Sequence, residues 1–240
     1  VYRAEKAALL ATRLDACVVY EPGSDAAARE VLRLVLTDLT RRGLAPDVDQ
    51  SLHPIDAAGR LVQEDLVVME RQERGWVLTS ASVCFPTRWD LRSKLGRTMD
   101  EIHEPVPRYA EMVGPMVNRF FDRLHVGRLV WRPNWSLVAD PRLRLDPPHR
   151  DDQLTVPSDP GTDLWLRVER QSVRRLVENP DAVCFTVRVH RWPLLEILDD
   201  LRGSAFADEL AAVPIDVAEY KNIETIRQQV RCWMEPDAGL

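Results

Sequence analysis

Apolar residues near the start of the chain recur at helical spacing. Ala8, Leu9, Ala11, Leu14 and Val18 mark one amphipathic stretch, AEKAALLATRLDACVVY. A stronger one runs through SDAAAREVLRLVLTDLTRRG, with Val31, Leu32, Val35, Leu36 and Leu39 as its stripe. Ser24 is placed to cap it and Gly43 to end it. An Asp- and Pro-rich loop and a short helix near Ala57 to Glu64 follow. From Asp65 the period shortens to that of a strand: DLVVME, the turn RQERG and WVLTSASVCF predict a β-hairpin.

Helical spacing returns in RYAEMVGPMVNRFFDRL, placing Tyr109, Met112, Met116, Phe120 and Leu124 on one face, with a kink expected at Pro115. Three further strands are predicted in LVWRPNWSLV, LWLRVERQ and AVCFTVRVHRW. Between the first two lies a polar, proline-rich stretch, DPRLRLDPPHRDDQLTVPSDPGTD, long enough for a lid or insertion. Closing helices are expected around Leu194 to Leu201, Phe206 to Ala212 and Ile223 to Trp233. There are no internal repeats. Five antiparallel strands with helices before, within and after them define an α+β class.

Composition narrows the function. A net charge of −6 argues against non-specific nucleic-acid binding. Cys17, Cys84, Cys184 and Cys232 are scattered, with no C-x-x-C, which excludes a zinc ribbon, a thioredoxin motif and a disulfide framework. With no signal peptide and no apolar run long enough for a bilayer, a reducing, cytoplasmic setting is expected. The chain begins at Val1, so a preceding segment is expected to be missing. Lysine is confined to Lys6, Lys94 and Lys221; arginine carries nearly all the positive charge.

Strand alternation places Trp165, Arg167, Glu169 and Gln171 on one face and Leu164, Leu166 and Val168 on the other. In the next strand Cys184, Thr186, Arg188, His190 and Trp192 oppose Val183, Phe185, Val187 and Val189. In the preceding one Arg132, Asn134 and Ser136 alternate with Trp131, Pro133 and Trp135. A solvated sheet face accounts for any one of these patterns. Three adjacent strands carrying arginine, carboxylate, amide and indole instead predict the lining of a half-covered cavity, where arginines bind carboxylates.

No nucleophile elbow, H-E-x-x-H, P-loop or dinucleotide fingerprint occurs. His53, His103, His125, His149 and His190 form no metal-ligand cluster in sequence. His125 and His149 are expected at the surface, His53 in a loop before a proline, and His190 at a strand end on the mixed face. His103 follows SKLGRTMDE and is held by Pro105 and Pro107. Two roles stay open for it: a packing or capping residue, or a rigid imidazole ligand for haem iron.

The blocks VCFPTRWDLRSKLGRTMDEIHEPVPRY, RFFDRL, WRPNWSL, LRVERQSVRRL, VCFTVR and AEYKNIE occur in an order that resembles the DUF3445 family, whose characterised relative is a haem-dependent oxidative N-demethylase, also described as a dimethylamine monooxygenase. The resemblance covers Leu61 to Trp233. It implies a PAS-like fold carrying haem b, formed by one domain over residues 1–240, with an N-terminal helical extension to residue 64 and C-terminal helices over residues 194–233. The implied reaction oxidises a methyl group on a secondary amine, and the carbinolamine collapses to formaldehyde and a primary amine. Electrons are expected from NADPH through separate flavin and iron–sulfur partners. On this resemblance His103 is the expected axial ligand. Arg132, Asn134 and Arg170 are expected to bind the cofactor, and Arg167 and Glu169 to act in catalysis. The contrasting reading is a PAS-like haem or small-ligand sensor without turnover, although the chain carries no kinase or cyclase output. Homo-oligomerisation is compatible with either.

Overall fold

A computed structural model describes residues 2–147, 158–197, 200–221 and 223–234. The expected first helix divides into α1 (Tyr2–Thr12) and α2 (Leu14–Cys17), and its last residues form a strand, β1 (Val18–Tyr20). Two valines and a tyrosine favour extended backbone, and they pair antiparallel with Ser82, Ala81 and Ser80 at what would otherwise be an open edge. The sheet therefore has six strands, not five. The others lie where alternation placed them: β2 (Asp65–Gln72), β3 (Gly75–Ser82), β4 (Leu129–Val138), β5 (Trp165–Arg175) and β6 (Ala182–Pro193). Their spatial order is β1-β3-β2-β6-β5-β4, and every pairing is antiparallel.

Helices α3 (Asp25–Arg41) and α4 (Pro54–Leu61) lie on one face. Ala27, Ala28, Val31, Ile55 and Ala58 pack there on Leu66, Val68, Ala182 and Cys184. The predicted stripe of α3 is thus buried mainly at its start, where small alanines let the helix approach closely. Ser24 precedes the helix but turns its hydroxyl back to the Glu21 carbonyl instead of capping it. Buried Glu30 takes the backbone N–H groups of Val177, Glu178 and Asn179, fixing the β5–β6 connection to α3.

The opposite face is covered by the segment between β3 and β4. It contains a 3₁₀ turn (Leu91–Lys94), α5 (Met99–Ile102), a π-helical turn (Tyr109–Val113) and α6 (Gly114–Arg123). A Thr98–Glu101 capping box starts α5. In the π turn the Gly114 N–H reaches the Tyr109 carbonyl, and Pro115 has no N–H to offer the next one. The wider turn slips the apolar stripe by one residue. Phe121 is buried in place of Phe120, and Met116 also faces out. Leu91, Met99, Tyr109, Phe121 and Leu124 close over Val67, Met69, Leu78, Val173 and Val183. Each large side chain buried here contributes about 1.5–3 kcal/mol.

After the short α7 (Pro160–Asp163), β5 and β6, the chain ends in α8 (Leu194–Ile197), α9 (Asp200–Ala212), α10 (Ile215–Tyr220) and α11 (Glu224–Met234). Leu210, Ala218, Ile223, Ile226 and Val230 pack on Leu137, Leu164 and Leu194. Among the described residues no helix is long and apolar enough to cross a membrane.

Candidate functional site

Directly opposed residues in an antiparallel sheet point to the same side. The register sets Asn134, Glu169 and Val189 in one row, Arg132, Gln171 and Val187 in the next, and Ser136, Arg167 and Arg191 in a third. These rows continue the face covered by the β3–β4 segment, since Val173, Phe185 and Val67 form the next row along it. A polar floor thus adjoins an apolar core under one cover.

The floor is a single hydrogen-bonded chain. Arg132 Nε donates to Gln171 Oε1 at 3.0 Å, and Gln171 Nε2 donates to Glu169 Oε2 at 2.9 Å. Asn134 Nδ2 reaches the same oxygen at 3.4 Å. Arg167 Nε donates to Thr87 Oγ1 at 2.9 Å, so the one hydroxyl proton of Thr87 is directed to Glu169 Oε1, 2.7 Å away. Arg167 Nη2 ends the chain on the Phe85 carbonyl at 2.7 Å. Glu169 therefore receives three donors and keeps one of its roughly four lone-pair sites free. Arg167 is only 1% exposed, and burial lowers its pKa against the opposing pull of Glu169 and Asp65. Its Nη1 is buried without a partner.

His103 caps the end of α5, where its Nδ1 lies 2.9 Å from the Met99 carbonyl. Carbonyl oxygen accepts only, so this contact assigns the proton to Nδ1 and leaves Nε2 a lone pair. Nε2 has no hydrogen bond among the described residues. Burial holds the imidazole below its ordinary pKa; the Met99 bond opposes this, and the Lys94 and Arg132 cations add to it. The ring stacks on Tyr109, with centroids 4.5 Å apart and planes 12° from parallel. The Tyr109 hydroxyl is buried without a partner, and burial pushes its pKa up to about 12.

A family model described as haem-dependent oxidative N-demethylase, alpha subunit-like, matches residues 42–231. The chain belongs to this family. Its name indicates haem dependence, and the donor set in and beneath the β3–β4 segment fits such a group. It offers a neutral imidazole with its outer nitrogen free, and partnerless buried polar atoms on Tyr109 and Arg167. Arginine side chains on the same face suit carboxylates. Among the described residues no group of three or more His, Cys, Asp or Glu could hold a metal ion by itself.

The strand register leaves several expected residues away from this floor. Arg170 points to the opposite face, directly across from Arg188, because it alternates with Glu169 and Gln171. The expected mixed face of β6 also turns away: Thr186, Arg188, His190 and Trp192 share the side of Arg170, whereas the apolar Val187 and Val189 face Gln171 and Glu169. Only two of the three polar strand faces meet. His53 caps α4, its Nδ1 accepting from the Ile55 N–H, and stacks on Tyr20. It lines a cavity of about 390 Å³ with Asp25, Arg29 and Leu52, beside α3 and α4. His125 is exposed, and His149 lies outside the described residues.

Some residues of the site lie outside the family's strand blocks. Thr87 joins Arg167 to Glu169, and its signal was its place inside the CFPTRW block, next to Arg88 with φ 62°. Beside the site, at the edge of β4, lie Tyr220 and Lys221 of AEYKNIE, at the end of α10. Lys221 Nζ donates to the Trp135 carbonyl at 2.6 Å on the outer edge of β4 and sits 4.8 Å from the Trp135 ring. Burial lowers the Lys221 pKa and raises that of Tyr220, with Glu169 acting on both.

Proposed function

We propose that this chain is the haem-bearing oxygenase component of an oxidative N-demethylase acting on a small secondary alkylamine such as dimethylamine, within a PAS-like domain. The observation that carries the reading is His103. Its neutral ring is anchored through Nδ1 to Met99, with Nε2 free, in the β3–β4 segment that covers the face of the Arg132–Glu169 floor. His103 would ligate the iron, and Arg132 and Asn134 would meet the anionic edge of the cofactor. Arg170, on the other face, is not included in this site. When bound, haem b supplies oxygen activation at iron.

The chain's own residues bind and orient the amine. A secondary alkylamine is an ammonium ion near neutral pH, and the free lone-pair site of Glu169 accepts one of its N–H groups. Thr87, Gln171 and Asn134 hold the carboxylate in place, and buried Arg167 fixes the Thr87 hydroxyl. Phe185, half-buried beside the polar rows, gives methyl groups an apolar surface, while Val187 and Val189 pack with Cys84, Phe85 and Leu143. The overall reaction consumes O2, two electrons and two protons, and yields water and an N-hydroxymethyl amine that loses formaldehyde. The electrons come from NADPH through separate flavin and iron–sulfur proteins, in keeping with the alpha-subunit name of the family.

The test is formaldehyde release from dimethylamine by haem-loaded protein supplied with electrons and O2. Stoichiometric formaldehyde and methylamine are expected. A haem-loaded, reducible protein that consumes no O2 with any small N-methylamine would overturn the enzyme reading in favour of a sensor.

A further inference from the structure

On the sheet face away from the polar floor, α3 and α4 cover one end and α8–α11 the other. Between them no element of the described residues covers the strands. This strip carries Leu129 and Trp131 from β4, Arg170 and Arg174 from β5, and Arg188 and His190 from β6. Trp131 is 61% exposed, and the Arg170 guanidinium lies over its ring at 5.4 Å. Arg170 and Arg188 stand directly opposite each other, an arrangement that like charges disfavour. Arg188 is partly compensated by Glu64 at 3.3 Å. Arg170 and Arg174 have no ion-pair partner among the described residues, and the Nε atoms of Arg174 and Arg188 are buried without a hydrogen bond. Burial, then the Arg188 and Arg170 cations, hold the His190 pKa down.

Unrelieved positive charge on one strip of a chain whose net charge is −6 is local and unbalanced. Folding alone gains nothing from facing arginines. An exposed indole under one arginine, on a strip that carries two more, is the composition of a docking surface, and its charge selects the opposite sign. We propose that this strip docks the acidic face of the iron–sulfur protein that delivers electrons to the site. This rests on the oxygenase reading above. Arg170 is the chain neighbour of Glu169 on the other side of the same strand, so one layer of sheet separates the strip from the polar floor. Encounters of electron-transfer proteins bury little surface and depend on charge, which suits an open strip better than a deep groove.

The experiment measures binding without turnover. Full-length protein is titrated with a plant-type [2Fe–2S] ferredoxin, an acidic protein, at low and high NaCl, with Arg170→Glu, Trp131→Ala and a control, Arg119→Glu/Arg123→Glu on α6. The strip account expects saturable binding that weakens steeply with salt. It also expects a loss of about tenfold or more in Arg170→Glu, a smaller loss in Trp131→Ala, and near wild-type affinity in the control. Melting curves verify that each variant is folded. Binding that ignores salt, that the control weakens as much as Arg170→Glu, or that does not occur overturns the proposal. So does a strip-dependent homodimer seen by sedimentation, which would make a second copy the occupant. A protein that docks ferredoxin yet takes up no haem sinks the oxygenase reading and leaves the docking surface standing; haem uptake without docking does the reverse.

Discussion

Arg167→Ala separates a structural from a purely chemical role for the buried arginine. The substitution removes two charge-assisted hydrogen bonds, to Thr87 at 2.9 Å and to the Phe85 carbonyl at 2.7 Å. Such bonds are worth about 1.5–3 kcal/mol each. Truncation also leaves a void at a side chain only 1% exposed, and it strands the Phe85 carbonyl. Relief of the buried, desolvated cation offsets part of the loss, as the lowered pKa of Arg167 indicates. The net expectation is about 3–5 kcal/mol of destabilisation, the cost typical of removing one partner from a buried charged network. For a chain of this size that is a fall in Tm of roughly 6–20 °C. Arg167→Lys keeps the charge and one bond, so it should lose less than half as much. Calorimetry and urea unfolding of both variants supply the assay. If Arg167→Ala melts within about 2 °C of wild type, Arg167 is not the pin between β5 and the Phe85–Thr87 segment, and the reasoning fails.

Glu169→Gln keeps the size of the side chain while removing its charge; formaldehyde formation should fall by about 10²–10³, with Tm little changed. Unaltered kcat/KM in that variant would remove Glu169 from the site. Thr87→Val should lower activity in the same direction, and Thr87→Ser should restore it, because only the hydroxyl relays between Arg167 and Glu169. Burial depresses the pKa of both His53 and His103. The unfolded chain therefore takes up protons that these folded imidazoles resist, and stability present above about pH 6.5 is lost as pH falls below it. Urea midpoints at pH 7.5 and 5.5 check this, and His53→Gln should flatten the difference. A Cβ at Gly59 would lie 2.0 Å from Ser82 Oγ, so Gly59→Ala should destabilise by about 1–3 kcal/mol, read in the same unfolding assay.

Periodicity located β2 to β6 because each alternates or runs apolar over its length, and because turns bound them. It missed β1, whose three residues continue a helical pattern and become a strand only by pairing with β3. The helix through Tyr109 was legible, but its facing was not. One π turn, set by Gly114 and Pro115 together, moves Phe121 into the place expected of Phe120. The candidate site divides in the same way. Alternation grouped Arg167, Glu169 and Gln171, and Arg132 with Asn134. Which faces of neighbouring strands meet depends on register, and a shift of one residue exchanges them. Hence β6 turns its valines to the floor and His190 away, while Arg170 on β5 faces away because it alternates with Glu169. Thr87 reaches the site from a distant segment, which no local spacing reports. For His103 the prolines indicated rigidity, while the tautomer depends on a backbone carbonyl four residues earlier.

Hemin titration of wild type and His103→Ala shows whether His103 holds the iron of a bound haem. Wild type should take up about one haem per chain, with a Soret band and a ferrous CO adduct typical of an imidazole ligand. His103→Ala should remain folded by circular dichroism, bind hemin weakly, and regain part of the Soret absorption on addition of imidazole, whereas His53→Ala, His125→Ala and His190→Ala should match wild type. A wild type that takes up no hemin, or a His103→Ala protein whose spectra and hemin affinity equal those of wild type, would remove His103 as the iron ligand.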